Sequence, residues 1–281
     1  ATRRYGAFSP ATQKAWMLLL EGPYRQGTNG TEKSSIVAAR PALDVKKSGP
    51  NAGLEIPYDP ALIIRAQSLL LEDADKLSAS RPYRFDLVDV QRQMMTNLGQ
   101  LIHRKAAEAF RSKDREAFTL HSGRFLGMLA DMDTLLRTRS EYSFDRWLTE
   151  ARSWGETEEE KNQMERDATS LVTIWGADGD PRIFDYSWRE WAGLINGYYL
   201  PRWQKFYTML QQHLDEGTSY EEAGLPQIYG REAFRANDFY HALAEWELSY
   251  VDTYGKARIP ATEGDEVDIV TVSYTHLRAH E

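Results

Sequence analysis

Apolar side chains recur along most of this chain at intervals of three, four and seven residues, the spacing of one buried helix face. Between Arg84 and Lys113 the stripe is Val88, Met95, Leu98, Ile102 and Ala109, and it resumes as Phe118, Ser122, Phe125, Leu129, Met132 and Leu136. The polar junction Ser112-Lys113-Asp114 is short enough to predict an antiparallel helix pair. Pro82 sits where the first turn of a helix tolerates a missing N–H. A third stripe, Met164, Ala168, Leu171 and Trp175, stops at Gly176, a residue suited to a C-cap. A fourth helix is predicted from Asp185 through Trp188, Trp191, Ile195 and Tyr198, kinked at Pro201 and continued by Phe206, Leu210 and Leu214 to Gly217. Further helices are predicted at 10–21, 59–77, 144–153 and 231–250. Two stretches break the period: residues 22–57, rich in Gly, Pro, Ser and Lys, and the turn Gly176-Ala177-Asp178-Gly179-Asp180-Pro181. No useful run alternates with the period of a strand. The pattern predicts an all-α fold, a bundle of about eight to ten helices with one long loop near the N-terminus, and a loop of that length is expected to be functional or to pack on a neighbour.

Composition narrows the possible functions. The 281 residues carry 34 Lys and Arg against 42 Asp and Glu, a net charge of −8, which is the wrong sign for gripping a phosphate backbone. No apolar run reaches the roughly 18 residues of a membrane span, and the absence of cysteine excludes a disulfide framework, a thiolate nucleophile and a Cys-based zinc site. The opening Ala1-Thr2-Arg3-Arg4-Tyr5-Gly6 lacks both an initiator Met and the pattern of a signal peptide, so it is expected to be internal to a longer polypeptide. The last ten residues, Val272 to Glu281, resemble translated read-through of a sequencing adapter and continue no helical or strand pattern. Residues 1–270 are therefore expected to be one helical domain and 271–281 an artefact. His276 and His280, spaced like two metal ligands, are set aside with that tail, because no Glu follows His276.

Candidate chemistry concentrates in one window. Residues 175–207 hold ten aromatics where about four would be expected from average usage. At helical spacing Trp188, Trp191, Tyr198 and Phe206 are expected to be core. Trp175 and Tyr186 differ, because they flank the glycine-rich turn at helix ends. A flat ring beside carboxylate and phenol groups suits a sugar, the ring covering its apolar C–H face and the polar groups taking its hydroxyls. Asp178 and Asp180 resemble the opening of a calcium loop but lack its later Gly and Glu, so a polar turn is expected. No histidine cluster has ligand spacing, no paired catalytic carboxylates stand out, and no metal or cofactor is implied.

The runs Thr173-Ile174-Trp175-Gly176, Asp185-Tyr186-Ser187-Trp188-Arg189-Glu190-Trp191-Ala192-Gly193-Leu194 and Tyr198-Tyr199-Leu200-Pro201-Arg202-Trp203 closely resemble the C-terminal helical domain of α-N-acetylglucosaminidases, glycoside hydrolase family 89. Arg4-Tyr5-Gly6, Arg40-Pro41-Ala42-Leu43, Arg84-Phe85-Asp86-Leu87-Val88-Asp89 and Gly264-Asp265-Glu266-Val267-Asp268 extend the resemblance in collinear order over residues 1–270. It implies a parent enzyme that removes terminal α-linked N-acetylglucosamine from glycans with retention, through a covalent glycosyl-enzyme. The two catalytic Glu residues would stand in a (β/α)₈ barrel upstream of this chain. The helical domain would pack on that barrel as an intramolecular partner and be inactive alone. The resemblance places Trp175, Ile183, Asp185 and Tyr186 in the substrate pocket. Where family members present a pocket Trp before the second helix, this chain reads Glu55-Ile56-Pro57-Tyr58, and Tyr58 is the candidate replacement ring. With the missing cysteines, the resemblance points to a bacterial, periplasmic or secreted protein. The alternative from residues alone is a free-standing carbohydrate-binding or structural helical module.

Overall fold

The computed structural model describes residues 2–25, 34–49, 52–175, 184–220, 222, 237–253 and 264–278. Among these, eleven α-helices run in the order α1 (Thr2–Tyr5), α2 (Pro10–Glu21), α3 (Ala61–Leu71), α4 (Ala74–Leu77), α5 (Arg81–Arg111), α6 (Arg115–Leu136), α7 (Phe144–Arg152), α8 (Glu158–Val172), α9 (Leu200–Glu216), α10 (Asp238–Val251) and α11 (Glu266–Arg278). Two strands of two residues each, β1 (Lys47–Ser48) and β2 (Ala52–Gly53), pair antiparallel in the loop between α2 and α3. The fold is all-α.

The α5–α6 hairpin is the spine. Val88, Met95, Ile102, Ala109, Phe118, Phe125, Leu129, Met132 and Leu136 are all buried, as the stripe predicts. The junction turns tightly because Lys113 adopts φ 60, and Asp114 caps α6 by accepting from the Ala117 N–H at 2.9 Å. A helix cap also starts α8, where Thr157 and Glu160 form a reciprocal capping box.

The structure corrects four expectations. The predicted helix at 59–77 is broken at Glu72 and Asp73 into α3 and α4. The buried face of α8 is mixed, Glu165, Thr169 and Ser170 standing beside Ala168 and Val172, while Met164 and Leu171 are exposed. Arg152 sets that register: it reaches Glu165 at 2.8 Å and Asn162 at 2.8 Å, so the hydrogen-bonding residues of α8 turn inward. The helix predicted from Asp185 begins only at Leu194. Residues 184–187 form a turn, and Ala192 lies beside Ser143 in a parallel bridge, its N–H donating to the Tyr142 carbonyl at 2.8 Å. Ile195–Tyr199 is a π-turn ahead of Pro201, which lacks the N–H that an α-turn would require there. Finally, α11 continues through Arg278 with Val270 and Tyr274 buried, so a helical pattern does extend past Val272. The side chains of His276 and His280 lie outside the described residues.

The largest departure from ordinary loop behaviour is the chain between α2 and α3. Residues 35–43 are buried without interruption. Their polar groups find partners in distant elements: the Val37 carbonyl accepts from Trp203 Nε1 at 3.3 Å, and the Pro41 carbonyl from the Tyr240 hydroxyl at 3.0 Å. This loop packs inside its own bundle, and those side-chain donors make its burial tolerable.

Candidate functional site

Trp175 and Tyr186, which the sequence sets on either side of the glycine-rich turn, come together. Their ring centroids are 4.9 Å apart in an edge-on arrangement. Two backbone features bring them there. The Asp185 N–H donates to the Thr173 carbonyl at 2.7 Å, laying the turn against the end of α8. Trp175 and Asp185 both adopt left-handed backbone conformations, φ 41 and φ 57, which reverse the chain abruptly on each side. Positive φ is strained for a tryptophan, and such strain persists only where the surroundings over-determine it. Tyr186 is 41% exposed and Trp175 partly buried, so the ring pair reaches the surface.

Asp185 faces the other way. It is fully buried, and its two oxygens accept from Arg202 Nη1 and Nη2 at 2.8 and 2.9 Å. Arg202 Nε lies 3.4 Å from Glu247 Oε1, and Glu247 in turn accepts from Arg40 at 2.8 and 3.2 Å. All four charges are at most 3% exposed. Burial pushes the Asp185 carboxyl up and the adjacent Arg202 guanidinium pulls it back; the two-pronged geometry is that of an ionised pair. Asp185 therefore does not present its carboxylate to the surface beside Tyr186, as a hydroxyl-binding role would require. It anchors the turn, since both lone-pair faces are taken by Arg202. Phe184, beside it, lies under the Arg40 guanidinium at 4.3 Å.

The β1–β2 hairpin buttresses this turn from outside. Gly49 has φ 71, and a Cβ there would stand 2.8 Å from the Asp185 carbonyl oxygen, so only glycine fits.

Tyr58 lies in an adjoining recess, half-buried, with its hydroxyl accepting from Asn97 Nδ2 at 3.1 Å. Burial raises the pKa of its hydroxyl, so it remains a neutral phenol. The recess shares Arg92, Trp188 and Glu190 with a cleft that Tyr186 lines, so Tyr58 and Tyr186 belong to neighbouring hollows with common walls. Ile183, Asp178 and Asp180 lie outside the described residues. Among the described residues no group of three acidic or histidine side chains could hold a metal ion, and no helix is long and apolar enough to cross a membrane.

A cavity of about 840 Å³ lies elsewhere, between the start of α5, the end of α6, α7 and the segment at residues 192–197. It contains none of the residues singled out from sequence, and its arginines, Arg81, Arg137, Arg139 and Arg146, each face a carboxylate.

Sequence reasoning missed the buried tetrad. Its signal was present: Arg40 is the lone charge within Ile36–Leu43, and Arg202 sits in the aromatic run Tyr198–Trp203. A solitary charge inside an apolar stretch implies a buried partner, though not which one.

Comparison with known proteins gives a consistent result. The model of the family described as Alpha-N-acetylglucosaminidase (NAGLU) C-terminal domain matches residues 1–275. Over 227 residues the chain is 32% identical to the alpha-N-acetylglucosaminidase of Homo sapiens, covering 79% of this chain and 29% of the human protein. The family 89 glycoside hydrolase from Clostridium perfringens, solved with 2-acetamido-1,2-dideoxynojirimycin, matches with a TM-score of 0.82 and 26% identity, over 97% of this chain and 30% of that one. A form of the same enzyme in complex with its substrate GlcNAc-α-1,4-galactose matches with a TM-score of 0.82 and 26% identity, over 98% of this chain and 30% of that one. The chain thus spans about 30% of the length of these relatives.

Proposed function

Since the chain belongs to the family of alpha-N-acetylglucosaminidase C-terminal domains, we propose that it forms one wall of the pocket in which a retaining exo-glycosidase holds a terminal α-linked N-acetylglucosamine. The observation that carries this reading is the Trp175–Tyr186 ring pair, exposed at its front and fixed from behind by a buried ion pair. Trp175 and Tyr186 cover the apolar face of the sugar, and Ile183 adds an aliphatic contact. Asp185 works indirectly by holding Tyr186 in place, and Tyr58 supplies a ring at the edge of the adjoining recess. The substrate complex of the Clostridium perfringens neighbour supports the choice of terminal sugar.

Hydrolysis needs a proton donor and a nucleophile on opposite sides of the glycosidic bond. In this reading both are Glu residues of an upstream (β/α)₈ barrel, which is the intramolecular partner of the helical domain. The 281-residue chain alone then does not hydrolyse α-GlcNAc linkages. The working unit is residues 1–270 together with the rest of α11, and the parent enzyme acts in the periplasm or outside a bacterial cell.

The test is a titration of the chain with GlcNAc, followed by tryptophan fluorescence and by amide chemical shifts. Trp175→Ala is expected to weaken binding at least tenfold, about 1.4 kcal/mol, with an unchanged unfolding midpoint. Equal affinities for the two proteins would exclude the pocket-wall reading. Release of nitrophenol from an α-GlcNAc nitrophenyl glycoside by the chain alone would refute the placement of the catalytic pair.

A further inference from the structure

The cavity of about 840 Å³ beside α7 has no task in the pocket-wall reading, and one of its arginines is held as if for a ligand. Arg137 stands at the end of α6, where its Nε donates to Asp133 Oδ2 at 2.6 Å. Asp133 is wholly buried, and the π-turn region fills the rest of its carboxylate. The Gly193 N–H donates to it at 2.7 Å, and the Asn196 N–H and Nδ2 each at 3.1 Å. The guanidinium is therefore fixed from behind. Its Nη1 and Nη2 have no partner among the described residues, although the side chain is only 25% exposed and lines the cavity. A fixed guanidinium with two free prongs is the geometry that receives a carboxylate through paired hydrogen bonds. We infer that this cavity binds a small organic anion, its carboxylate on Arg137 and its apolar body against Phe144, Leu148 and Tyr250.

Three further observations fit an amphipathic anion. First, the volume lies within the range of small-ligand sites, about 300–1,000 Å³, and part of the lining is apolar: Phe144, Leu148, Ala192 and the ring of Tyr250. Second, the charge of the lining is positive. Arg81, Arg137, Arg139 and Arg146 line the cavity against two carboxylates, Glu141 and Asp145. The acids that pair with Arg137 and Arg146, namely Asp133 and Glu150, are not part of the lining. In a chain of net charge −8 this local excess favours anions over the neutral sugars expected at Trp175. Third, the wall that fixes Arg137 includes the π-turn Ile195–Tyr199, a rare backbone form that recurs at functional sites. Gly197 belongs to that turn, and a Cβ there would stand 3.0 Å from the Tyr250 hydroxyl, so the turn and the tyrosine close together on one side of the cavity.

The test titrates the intact chain, at neutral pH, with naphthylacetate and with naphthylacetamide, the uncharged amide of the same shape, and follows amide chemical shifts. Wild type is expected to bind the acid at least tenfold more tightly than the amide, with shifts moving at Gly193, Asn196 and Gly197 and none at Tyr186. Arg137→Gln, which keeps a donor for Asp133 and loses the two prongs, should bring the two affinities together. Arg146→Gln, at a rim position where folding is not at stake, should weaken the acid two- to threefold and leave the amide unchanged. Equal affinity of wild type for acid and amide, binding of neither, shifts confined to residues outside the lining, or an advantage that survives both substitutions would overturn the site. None of these outcomes bears on the GlcNAc titration, so the pocket-wall reading stands or falls separately.

Discussion

The two sides of the turn at residues 184–187 are made of opposite materials. Behind it stand four buried charges, Asp185, Arg202, Glu247 and Arg40, which contact one another and are almost wholly shielded from solvent. In front stand rings, Trp175 and Tyr186, that reach the surface. Charge placed behind fixes the geometry, because a buried guanidinium–carboxylate fork tolerates little rotation. Aromatic surface in front is left free to meet a ligand. An acidic residue can thus stand next in sequence to an exposed ring and still turn its carboxylate inward, as Asp185 does beside Tyr186. Its work is done on the protein side.

Four experiments press on that division. The largest effect is expected from Arg202→Met, which strands Asp185 as a buried, uncompensated carboxylate while Glu247 keeps only Arg40. Unfolding free energy should fall by about 3–5 kcal/mol, read from denaturant midpoints. A loss below 1 kcal/mol would show that the rear cluster does not hold the turn. The next effect comes from His103, whose ring packs 4.8 Å from that of Trp203, next in the chain to Arg202. Burial lowers its pKa to about 4, so between pH 6.5 and 4 the unfolded chain takes up a proton that the folded chain does not. Stability should therefore drop as the pH falls through that window, by on the order of 3 kcal/mol, and level off below it. His103→Gln should flatten the profile, and a slope that survives in this variant assigns the effect to other groups.

Gly49→Ala probes the contact between hairpin and turn. Positive φ and a 2.8 Å approach to the Asp185 carbonyl together should cost about 1–3 kcal/mol, with amide shifts moving at Asp185 and Tyr186. An unshifted turn would separate the hairpin from the site. The smallest stability effect belongs to Tyr186→Ala, within about 1 kcal/mol because the ring is 41% exposed and its contact is with Trp175 at the surface. The same variant should lose most of the GlcNAc response. A protein that loses stability but keeps the response would invert the assignment of front and back.

What could be read in advance followed from periodicity where packing was simply apolar. The α5 and α6 stripes are buried at their predicted positions, Leu98 alone remaining half-buried, because both helices press Val, Leu, Met and Phe against neighbours. In α8 the rule misled, since its inner face is built from Glu165, Thr169 and Ser170, which are satisfied by hydrogen bonds that spacing cannot reveal. Trp188 and Trp191 mimic one helical turn, three residues apart, yet they lie outside any helix. There Glu190 is drawn inward to Ser35 and Thr96, and the backbone is claimed by the segment at Tyr142–Ser143. The positions of Trp175 and Tyr186 on either side of the turn were legible from the two resembling runs; their edge-on contact was not. The inward face of Asp185 was not, because its partner lies 17 residues on and the arginine that completes the tetrad is Arg40, far upstream.

The buried loop at residues 35–43 also sets a schedule. Arg40 meets Glu247 across 207 residues of chain. On a ribosome adding about 5–20 residues per second, the later partner is made roughly 10–40 s after the earlier one. For that interval Arg40 lacks its carboxylate, although Ile36 can already settle beside Gly99 of α5. Tethering α10 ahead of the loop by circular permutation would shorten the wait, and yield of folded protein at high expression would report whether the delay matters.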